Sequence, residues 1–355
     1  MTKEYRKLGR TGLDVGVIGL GTEHLERKQE TMERVLHMAV QAGVNYVDLL
    51  YVDPEGADAG FWEHFGPALR PCRDSLVLAA HWGVGSPCDM DYCQRCFDGV
   101  LARLGNGYAE VGLMTMAIDG KKRWNTWAQE SIEHLRRYKE QGRIGAIGAS
   151  GHNVAIAIKA VNSALLDVLM FGFNMLRHDD KQEKALRQAC VEQNVGLVVM
   201  KPYHGGTLLS IGGKPSGITP AQCLAYVFSL PVSTAVPGPK NAEEWQATLH
   251  YLEASDEEKG YRPVIANMHE ILAGQCTYCH HCLPCPQGIE IGWMIWLVDH
   301  AQGGVTDDLR NWYAEFRVKP SACVECGECL ERCPFDVDIV PKIHEAVELF
   351  ETGAG

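Results

Sequence analysis

Hydrophobic positions over the first 250 residues alternate between two patterns. Short apolar runs rich in β-branched residues predict strands, and the longer segments between them carry apolar residues at helical spacing. The predicted strands are 15–20, 44–49, 76–80, 110–114, 146–149, 168–171, 196–200 and 234–236. The predicted helices are 30–42, 58–70, 91–104, 125–141, 153–162, 181–193, 219–230 and 243–253. Eight such pairs predict an α/β fold, a (β/α)8 TIM barrel whose functional residues lie at the carboxyl ends of its strands.

The pattern changes after the eighth pair. Residues 253–260 form a charged run poor in apolar side chains, which is the best candidate for a domain boundary. Beyond it the spacing predicts helices at 263–272, 291–300, 306–317 and 341–351, with too few strands for a sheet of any size. We therefore predict a barrel domain over residues 1–254 and a mainly α-helical domain over residues 255–355.

Charge and composition narrow the range of partners. The 355 residues include 33 lysines and arginines against 45 acidic residues, a net charge of −12 that argues against nucleic acid and anionic membranes as partners. The first residues contain no apolar leader, and no apolar stretch approaches the length that crosses a bilayer. We expect a packed cytoplasmic protein that acts on a small-molecule substrate.

Fourteen cysteines in a long chain without a leader indicate metal or redox chemistry rather than disulfides. One run has the spacing C-x2-C-x2-C-x3-C-P, which matches the ferredoxin run that holds a 4Fe-4S cluster. Its cysteines are Cys323, Cys326, Cys329 and Cys333. An earlier run has one residue fewer before its last cysteine, and consists of Cys276, Cys279, Cys282 and Cys285. Two runs predict a ferredoxin-like domain with two 4Fe-4S clusters.

Two questions about this domain stay open at the level of sequence. In two-cluster ferredoxins the fourth cysteine of each run binds the other cluster. That rule groups Cys276, Cys279, Cys282 and Cys333 on one cluster, and Cys323, Cys326, Cys329 and Cys285 on the other. The shortened first run leaves open which fourth cysteine closes which cluster. Zinc is the alternative occupant, because paired C-x2-C knuckles also form tetrahedral zinc sites.

The barrel segment resembles a known family. Residues 5–15 and 18–22 read YRKLGRTGLDV and IGLGT, and further matching segments are GVNYVD at 43–48, RIGAIGASGH at 143–152, MKP at 200–202 and VPGPKN at 236–241. Over residues 4–253 the chain resembles the aldo/keto reductases, and over its whole length it resembles the branch of that family with a C-terminal iron-sulfur domain. The resemblance implies the TIM barrel independently of periodicity.

The resemblance also places the catalytic positions. In the family a tyrosine acts as general acid, a lysine paired to an aspartate tunes its pKa, a histidine orients the carbonyl, and NADPH delivers hydride. Here Asp48 matches the aspartate, while Asp53 occupies the tyrosine position unless a shift of register brings in Tyr51. His81 replaces the lysine and Thr115 replaces the histidine. Carbonyl reduction of the usual kind is therefore poorly assisted.

Polar residues nevertheless gather at the predicted strand ends. Asp48, Asp53, His81 and Thr115 are the candidate catalytic residues, because an acid or base near neutrality is useful there. The alternative is a decayed site in which these side chains only hydrogen-bond one another.

The chain keeps some of the cofactor-contacting residues that the resemblance implies and replaces others. Ser150, Gly238 and Lys240 match family positions that contact the nicotinamide and the adenosine phosphate, and a helix N-terminus suits phosphate. Lys201 is a further candidate contact, although the family has a small polar residue there. The family's adenine-contacting asparagine and its strand-six glutamine are both replaced. NADPH binding is an alternative that the sequence leaves open.

A third group of cysteines, Cys88, Cys93 and Cys96, has the C-x4-C-x2-C spacing of plant-type two-iron sites but no fourth cysteine nearby. Cys93 and Phe97 also share a helical apolar stripe, so we expect buried cysteines here, with a metal site as the alternative.

The sequence favours an iron-sulfur oxidoreductase in which electrons pass through two 4Fe-4S clusters to or from a small molecule at the barrel mouth, with a redox partner such as a ferredoxin or flavodoxin. Two alternatives are an NADPH-dependent carbonyl reductase with atypical catalytic residues and a non-enzymatic electron-transfer or redox-sensing module. Consumption of NADPH with carbonyl substrates would support the carbonyl reductase. Reversible cluster reduction without any ligand in the barrel would support the electron-transfer or redox-sensing module.

Overall fold

The computed structural model describes residues 4–50, 53–56, 58–83, 89–116, 121–211, 214–301 and 303–352, with the backbone alone for residues 121–126. The chain divides into two compact units. The first comprises Met1–Gly206 and Ile218–Tyr261, and the second comprises Thr207–Gly217 and Arg262–Gly355. The domain boundary proposed at residues 254 and 255 stays a prediction, while the compact units divide at Tyr261 and Arg262.

The described strands are short, as is usual in α/β folds. They are β1 (Tyr5–Lys7), β2 (Asp14–Gly16), β3 (Leu20–Gly21), β4 (Tyr46–Leu49), β5 (Val77–Trp82), β6 (Ala109–Thr115), β7 (Ile144–Gly151), β8 (Val168–Gly172), β9 (Gly196–Met200), β10 (Ser210–Ile211), β11 (Lys214–Pro215) and β12 (Thr234–Val236).

The described α-helices alternate with the strands up to residue 249 and dominate the rest. They are α1 (Gln29–Ala42), α2 (Ala59–Leu69), α3 (Met90–Arg103), α4 (Lys121–Glu140), α5 (Val154–Asn162), α6 (Lys181–Glu192), α7 (Pro220–Phe228), α8 (Ala242–Leu249), α9 (Arg262–Ala266), α10 (Met268–Ile271), α11 (Ile291–His300), α12 (Asp307–Glu315), α13 (Glu328–Arg332) and α14 (Ile339–Phe350). Short 3-10 helices lie at Gly9–Thr11, Arg70–Ser75, Met175–Arg177, His204–Gly206, His250–Leu252 and Pro320–Ala322.

Eight parallel strands form the sheet of the first unit, in the order β12-β9-β8-β7-β6-β5-β4-β3. The sheet closes because the segment leading into β3 hydrogen-bonds back to β12: the Gly19 amide donates to the Ala235 carbonyl at 2.7 Å. At the same seam a Cβ on Gly21 would lie 2.9 Å from the Val236 carbonyl oxygen, so only glycine allows this approach. The predicted barrel is confirmed.

Alternate residues of the barrel strands fill its interior. Tyr46, Ala79, Leu113, Val168 and Val198 belong to one buried apolar cluster. Because side chains on a strand alternate between faces, residues two positions further along each strand also point inward. This rule identifies the side chains that reach the carboxyl end of the barrel.

An ion pair ties the amino ends of β5 and β6 together. The Arg73 guanidinium donates to the Glu110 carboxylate at 3.2 Å and to the Tyr108 carbonyl at 2.7 Å. The same carboxylate accepts from the Leu78 amide at 2.7 Å. Arg73 is only 6% exposed, so this pair is largely desolvated, and loss of either partner would leave a poorly compensated charge at the end of the barrel opposite the strand carboxyl ends.

Three details of the two units differ from the expectations drawn from the sequence. The predicted strand at 15–20 is two strands, and β2 pairs antiparallel with β1 in a hairpin that the polar β1 sequence does not signal. The predicted helix at 263–272 is divided at Asn267 into α9 and α10. Helix α13 lies inside the second cysteine run, where no helix was predicted.

The second unit is mainly helical in its described part. Helix α11 packs against α14 through side chains such as Met294, Ile295 and Ile343, which are all at most 2% exposed. The Tyr278 hydroxyl and the Lys342 ammonium both donate to the Asp299 carboxylate, at 2.8 and 3.0 Å. These contacts hold the first cysteine run against both helices.

Among the described residues, no helix has the length and apolar character needed to cross a bilayer.

Candidate active site and cysteine cavities

Four sequence-predicted residues occupy inward positions at the carboxyl ends of neighbouring strands. Asp48, His81 and Thr115 each follow an inward core residue by two positions, on β4, β5 and β6. Ser150 on β7 pairs in register with Thr115. Asp48, His81 and Ser150 are 7%, 2% and 7% exposed, so rigid strands hold these polar groups in a largely water-excluded site.

Asp48 and His81 form a hydrogen-bonded pair. The His81 Nε2 lies 2.9 Å from the Asp48 Oδ1. Because an ionised carboxylate only accepts hydrogen bonds, the contact assigns the proton to Nε2. The other ring nitrogen, Nδ1, is buried and has no hydrogen-bond partner among the described residues. It is the atom of this pair that can take up or release a proton.

Tyr46 lies one inward position below Asp48. Its hydroxyl is buried without a hydrogen-bond partner in the described part of the chain. Burial, and then the negative charge of Asp48, raise the pKa of Tyr46 well above its ordinary value. This phenol stays protonated. Tyr46 was not among the site residues predicted from the sequence, although its position two residues before Asp48 on the same strand indicates that both side chains point inward.

Thr115 and Ser150 place two hydroxyl groups beside each other on β6 and β7. The Thr115 Oγ1 is buried and makes no hydrogen bond within the described residues. The Trp127 indole donates to the Thr115 carbonyl at 3.3 Å, which fixes the backbone at this strand end. Thr115 therefore has a hydroxyl available for a ligand.

Asp53 is tied to a different part of the barrel. Its carboxylate accepts from the Gly56 amide at 3.0 Å and from the Tyr92 hydroxyl at 2.9 Å, and the Cys96 sulfur lies 3.9 Å away. Hydrogen bonds with Cys96 and Asp53 raise the pKa of Tyr92. The structure thus joins Asp53 to its own turn and to α3, whereas Asp48 and His81 contact directly. Tyr51 lies outside the described residues.

The third cysteine group belongs to helix α3 as far as it is described. Cys93 and Cys96 are 2% and 9% exposed, and burial is the main cause that raises the pKa of Cys96. Cys88 lies outside the described residues, so a metal site there stays an untested alternative. Within the described ranges, no three His, Cys, Asp or Glu side chains are grouped to hold a single metal ion.

The predicted cofactor contacts lie after β9 and around α8. Lys201 is exposed and has a left-handed backbone with φ of 55°. Gly238 and Lys240 are exposed just before α8. The Lys240 amide donates to the Glu244 carboxylate at 2.7 Å, and the Asn241 side chain accepts from the Glu244 amide at 3.0 Å.

This arrangement fits a dinucleotide phosphate poorly. The positive end of the α8 dipole already faces two carboxylates in its first turn, Glu243 and Glu244. A phosphate there would meet like charges and amides that are already bonded. We therefore assign no step of the chemistry to NADPH.

Two cavities in the second unit are lined by cysteines. One is bounded by Cys276, Cys279, Cys282 and Cys333. The other is bounded by Cys285, Cys323, Cys326 and Cys329. Each cavity thus combines three cysteines of one run with the fourth of the other. The shortened spacing of the first run does not prevent this exchange.

The cysteines of the first cavity differ in acidity. Burial raises the pKa of the Cys276 and Cys282 thiols to about 12. Burial also opposes ionisation of Cys279, but hydrogen bonds with His281 and Thr277 lower the pKa of its thiol overall. Four thiolates around one cavity, one of them buried and three partly buried, need a compensating cation, which the irons of a cluster would supply.

The two runs share a backbone pattern that the sequence reading did not use. The second residue after the first cysteine is left-handed in both, at Tyr278 and Glu325, with φ of 53° and 52°. The fourth is also left-handed, at His280 and Gly327, with φ of 63° and 78°. At the first of these positions both loops hold a strained non-glycine residue, and at the second only the first loop does, because Gly327 relieves the strain in the other. Such strain at matched positions is typical of a functional loop.

The repeat extends beyond the cysteines. Residues 285–291 read CPQGIEI and residues 333–339 read CPFDVDI, and α11 and α14 begin at the last residue of these segments. Gly288 and Asp336, at the matching fourth position, both have positive φ. This duplicated seven-residue segment is the sequence signal that could have predicted the internal repeat of the second unit.

Arg332 joins the two runs. Its guanidinium donates to the Cys282 carbonyl at 3.2 Å, to the Pro284 carbonyl and to the Glu328 carboxylate. Because Arg332 directly precedes Cys333, this contact places the last cysteine of the second run against the first loop. The donor set of each cavity, four thiols with apolar neighbours such as Ile339, fits a 4Fe-4S cluster.

A closed sheet of eight parallel strands that alternate with helices is a (β/α)8 barrel, the class of fold whose functional residues lie at the strand carboxyl ends. The profile of the aldo/keto reductase family matches residues 15–215. The chain therefore belongs to the aldo/keto reductase family, which is a family of oxidoreductases.

Two proteins named as oxidoreductases are similar to this chain in sequence. The uncharacterized oxidoreductase YqkF of Bacillus subtilis is 24% identical over an alignment of 217 residues, and the alignment covers 57% of this chain and 66% of YqkF. The uncharacterized oxidoreductase YrpG of the same organism is 24% identical over 308 residues, covering 71% of this chain and 92% of YrpG.

Two solved structures share the fold. The holo form of aldo-keto reductase AKR11C1 from Bacillus halodurans has a TM-score of 0.60 and 19% identity, covering 74% of this chain and 96% of that one. A putative aldo-keto reductase from Pseudomonas aeruginosa has a TM-score of 0.55 and 26% identity, covering 70% of this chain and 95% of that one. Part of this chain thus lies outside both aligned regions.

Proposed function

We propose that this protein is an iron-sulfur oxidoreductase in which the barrel binds a small molecule and the second unit holds two 4Fe-4S clusters. The observation that carries the proposal is the division of eight cysteines into two cavities of four. A ferredoxin or flavodoxin is the proposed class of redox partner.

The proposed ligands follow the cavities. Cys276, Cys279, Cys282 and Cys333 would hold one cluster, and Cys285, Cys323, Cys326 and Cys329 the other. When bound, the clusters supply or accept single electrons, so that the barrel reaction need not rely on hydride. The apolar residues around both cavities, among them Ile339 and Phe335, limit access of water to the thiolates.

The chain's own residues move the proton. Asp48 holds the Nε2 proton of His81 and fixes the orientation of the ring. The Nδ1 atom then accepts a proton from the substrate, or returns one as an imidazolium that the Asp48 charge stabilises. The Thr115 hydroxyl donates to an acceptor oxygen of the substrate and so orients it.

The first experiment tests the clusters. Protein purified without oxygen should contain iron and sulfide at about eight of each per chain, as two 4Fe-4S clusters require. It should be brown, and reduction with dithionite should give an electron paramagnetic resonance signal. Colourless protein with two zinc ions per chain would replace the clusters with the zinc alternative.

The second experiment tests the barrel chemistry. Protein reduced by methyl viologen is mixed with a panel of carbonyl compounds and activated alkenes, and reoxidation of the viologen is followed. The same panel is run with NADPH as donor. Turnover with viologen but not with NADPH supports the proposal, and turnover with NADPH alone would favour the carbonyl reductase. Reversible cluster reduction without any turnover would favour the electron-transfer module.

A further inference from the structure

The two cysteine cavities differ in their distance from solvent. In the first, Cys282 is buried and its three companions are partly buried. In the second, Cys326 is exposed, and it is the one exposed cysteine in the described part of the chain. Because electron tunnelling weakens steeply with distance, a partner protein exchanges electrons most rapidly with a cluster that reaches the surface. A cluster held in the second cavity would therefore be the point at which electrons enter or leave the protein.

Apolar side chains flank Cys326. Val324 and Leu330 are 61% and 39% exposed. Across the described residues, exposed large hydrophobic side chains are few: Tyr5, Tyr92, Val191, Val324 and Leu330. Two of these lie within seven residues of each other, on either side of an exposed cluster ligand. Apolar contacts at this point would exclude water and bring a partner's redox group close.

Acidic residues dominate the surroundings of this patch. Between residues 321 and 338 there are five acidic residues and one arginine. Glu325, Glu328 and Glu331 are all exposed. Glu328 pairs with Arg332, and Glu325 lies 3.1 Å from the His344 ring. The arginine therefore offsets one carboxylate, and the net charge around Cys326 stays negative.

We propose that the surface formed by Val324, Cys326 and Leu330 with its rim of Glu325, Glu328 and Glu331 is the docking site for a one-electron redox protein that presents a positively charged face. We call it the Cys326 surface. The inference rests on the proposed function, because it requires a cluster held in the second cavity. Charge complementarity between the acidic rim and a cationic face speeds encounter, and the apolar centre holds the encounter complex.

The proposal narrows the class of partner. A protein with an acidic docking face would be repelled by the rim, so a ferredoxin or flavodoxin would have to present a basic face here. The electron balance is simple in either direction. When the cluster is the donor, one electron leaves it and reduces the partner's redox centre by one, with no bond made or broken.

The test uses the full chain with its clusters in place and mitochondrial-type cytochrome c, a lysine-rich haem protein, as the cationic probe. The clusters are first reduced and excess reductant is removed. The protein is then mixed with ferric cytochrome c in a stopped-flow instrument, and formation of the ferrous haem gives a second-order rate constant. At low ionic strength, the triple variant E325Q/E328Q/E331Q should lower this constant at least about tenfold.

A matched control removes the same charge elsewhere. The triple variant E130Q/E140Q/E257Q changes three exposed glutamates of the first unit and should leave the rate constant within about twofold of the unchanged protein. Raising the salt concentration should reduce the difference between the two triple variants, because salt screens exposed charges.

A second measurement does not depend on electron transfer. A carbodiimide couples carboxylates to nearby lysines, and mass spectrometry of the digested complex with cytochrome c identifies the joined residues. Cross-links should concentrate on Glu325, Glu328 and Glu331, and the variant V324S/L330S should weaken complex formation while preserving iron content. Cross-links spread evenly over the acidic surface would overturn the inference.

The failure of this inference differs from the failure of the proposed function. Protein without iron and sulfide contradicts the proposed function itself. Protein with both clusters whose rate constant is equal in the two triple variants contradicts only the Cys326 surface. Faster electron exchange with an acidic flavodoxin than with cytochrome c would also overturn it.

Discussion

The two units of this protein position their chemistry by different means. In the barrel, strand register and the alternation of side chains bring Asp48 and His81 to the carboxyl end, where they contact at 2.9 Å. In the second unit no described strand carries a cysteine, and left-handed residues such as Tyr278 and Glu325 bend two loops around cavities. One site is built on strands, and the other on loops and the short helix α13, which carries Cys329.

This difference affects how each site tolerates change. A barrel supports its strand ends with a packed core, so a substitution at the mouth should change reactivity more than stability. A loop-built site depends on its occupant, because metal binding contributes directly to folding. The following variants test that contrast, beginning with the largest expected effect.

Removing a cluster ligand should have the largest effect. Cys329→Ser should lower iron and sulfide content by about half, because one of two 4Fe-4S clusters is lost. Cys190→Ser changes a cysteine of the first unit that is 1% exposed and should leave iron content unchanged. Chemical iron and sulfide assays on anaerobic protein check both. Full iron content in Cys329→Ser would argue against the second cavity as a cluster site.

Asp48→Asn should slow turnover in the viologen assay by about 10²–10⁴-fold, the range for loss of general acid–base assistance. The amide cannot stabilise an imidazolium at His81 as a carboxylate does. Iron content should not change, in contrast to Cys329→Ser. The control Asp14→Asn alters an exposed aspartate that pairs with Lys7. Equal turnover in the two variants would mean that the Asp48–His81 pair is a decayed site.

Arg73→Ala should lower the free energy of unfolding of the barrel by about 2–4 kcal/mol, since it leaves the partly buried Glu110 carboxylate without its charged partner. Urea unfolding followed by tryptophan fluorescence measures the change. Arg34→Ala breaks an exposed pair with Glu243 and should cost about 0–1 kcal/mol. A similar small value for Arg73 would show that the amino end of the barrel does not depend on this pair.

Gly327→Ala should have the smallest effect, a loss of about 1–2 kcal/mol from its left-handed backbone. A Cβ at this position would meet no atom within 4 Å, so the cost arises from conformation and not from packing. Gly303→Ala is the matched control, because it also has open space but no positive φ. Thermal unfolding of the cluster-loaded proteins compares them, and equal losses would contradict the backbone explanation.

Much of the barrel could be predicted from sequence because its physics is local and periodic. The run at 196–200 alternates with a helix and is β9 without change of bounds. The hairpin of β1 and β2 was not predicted, because β1 lies at the surface and its polar residues show no apolar pattern. The bond from Tyr92 to Asp53 joins distant segments, and no local pattern encodes it.

In the second unit the sequence predicted the chemistry better than the conformation. Spacing predicted the chemistry of the eight cysteines, whereas the conformation of their loops depends on non-glycine residues at positive φ, such as His280, that propensity does not anticipate. Cluster ligation itself stays a proposal. The duplicated segments at 285–291 and 333–339 were visible in the sequence and would have predicted the matched starts of α11 and α14.

The exchange of fourth cysteines between the two runs has a consequence for biosynthesis. Cys333 lines the first cavity and Cys285 lines the second, so neither cavity has its complete set of thiols until most of the second run has been translated. Cluster insertion would then have to wait for the second run, and a chain truncated before Cys323 would leave both cavities incomplete.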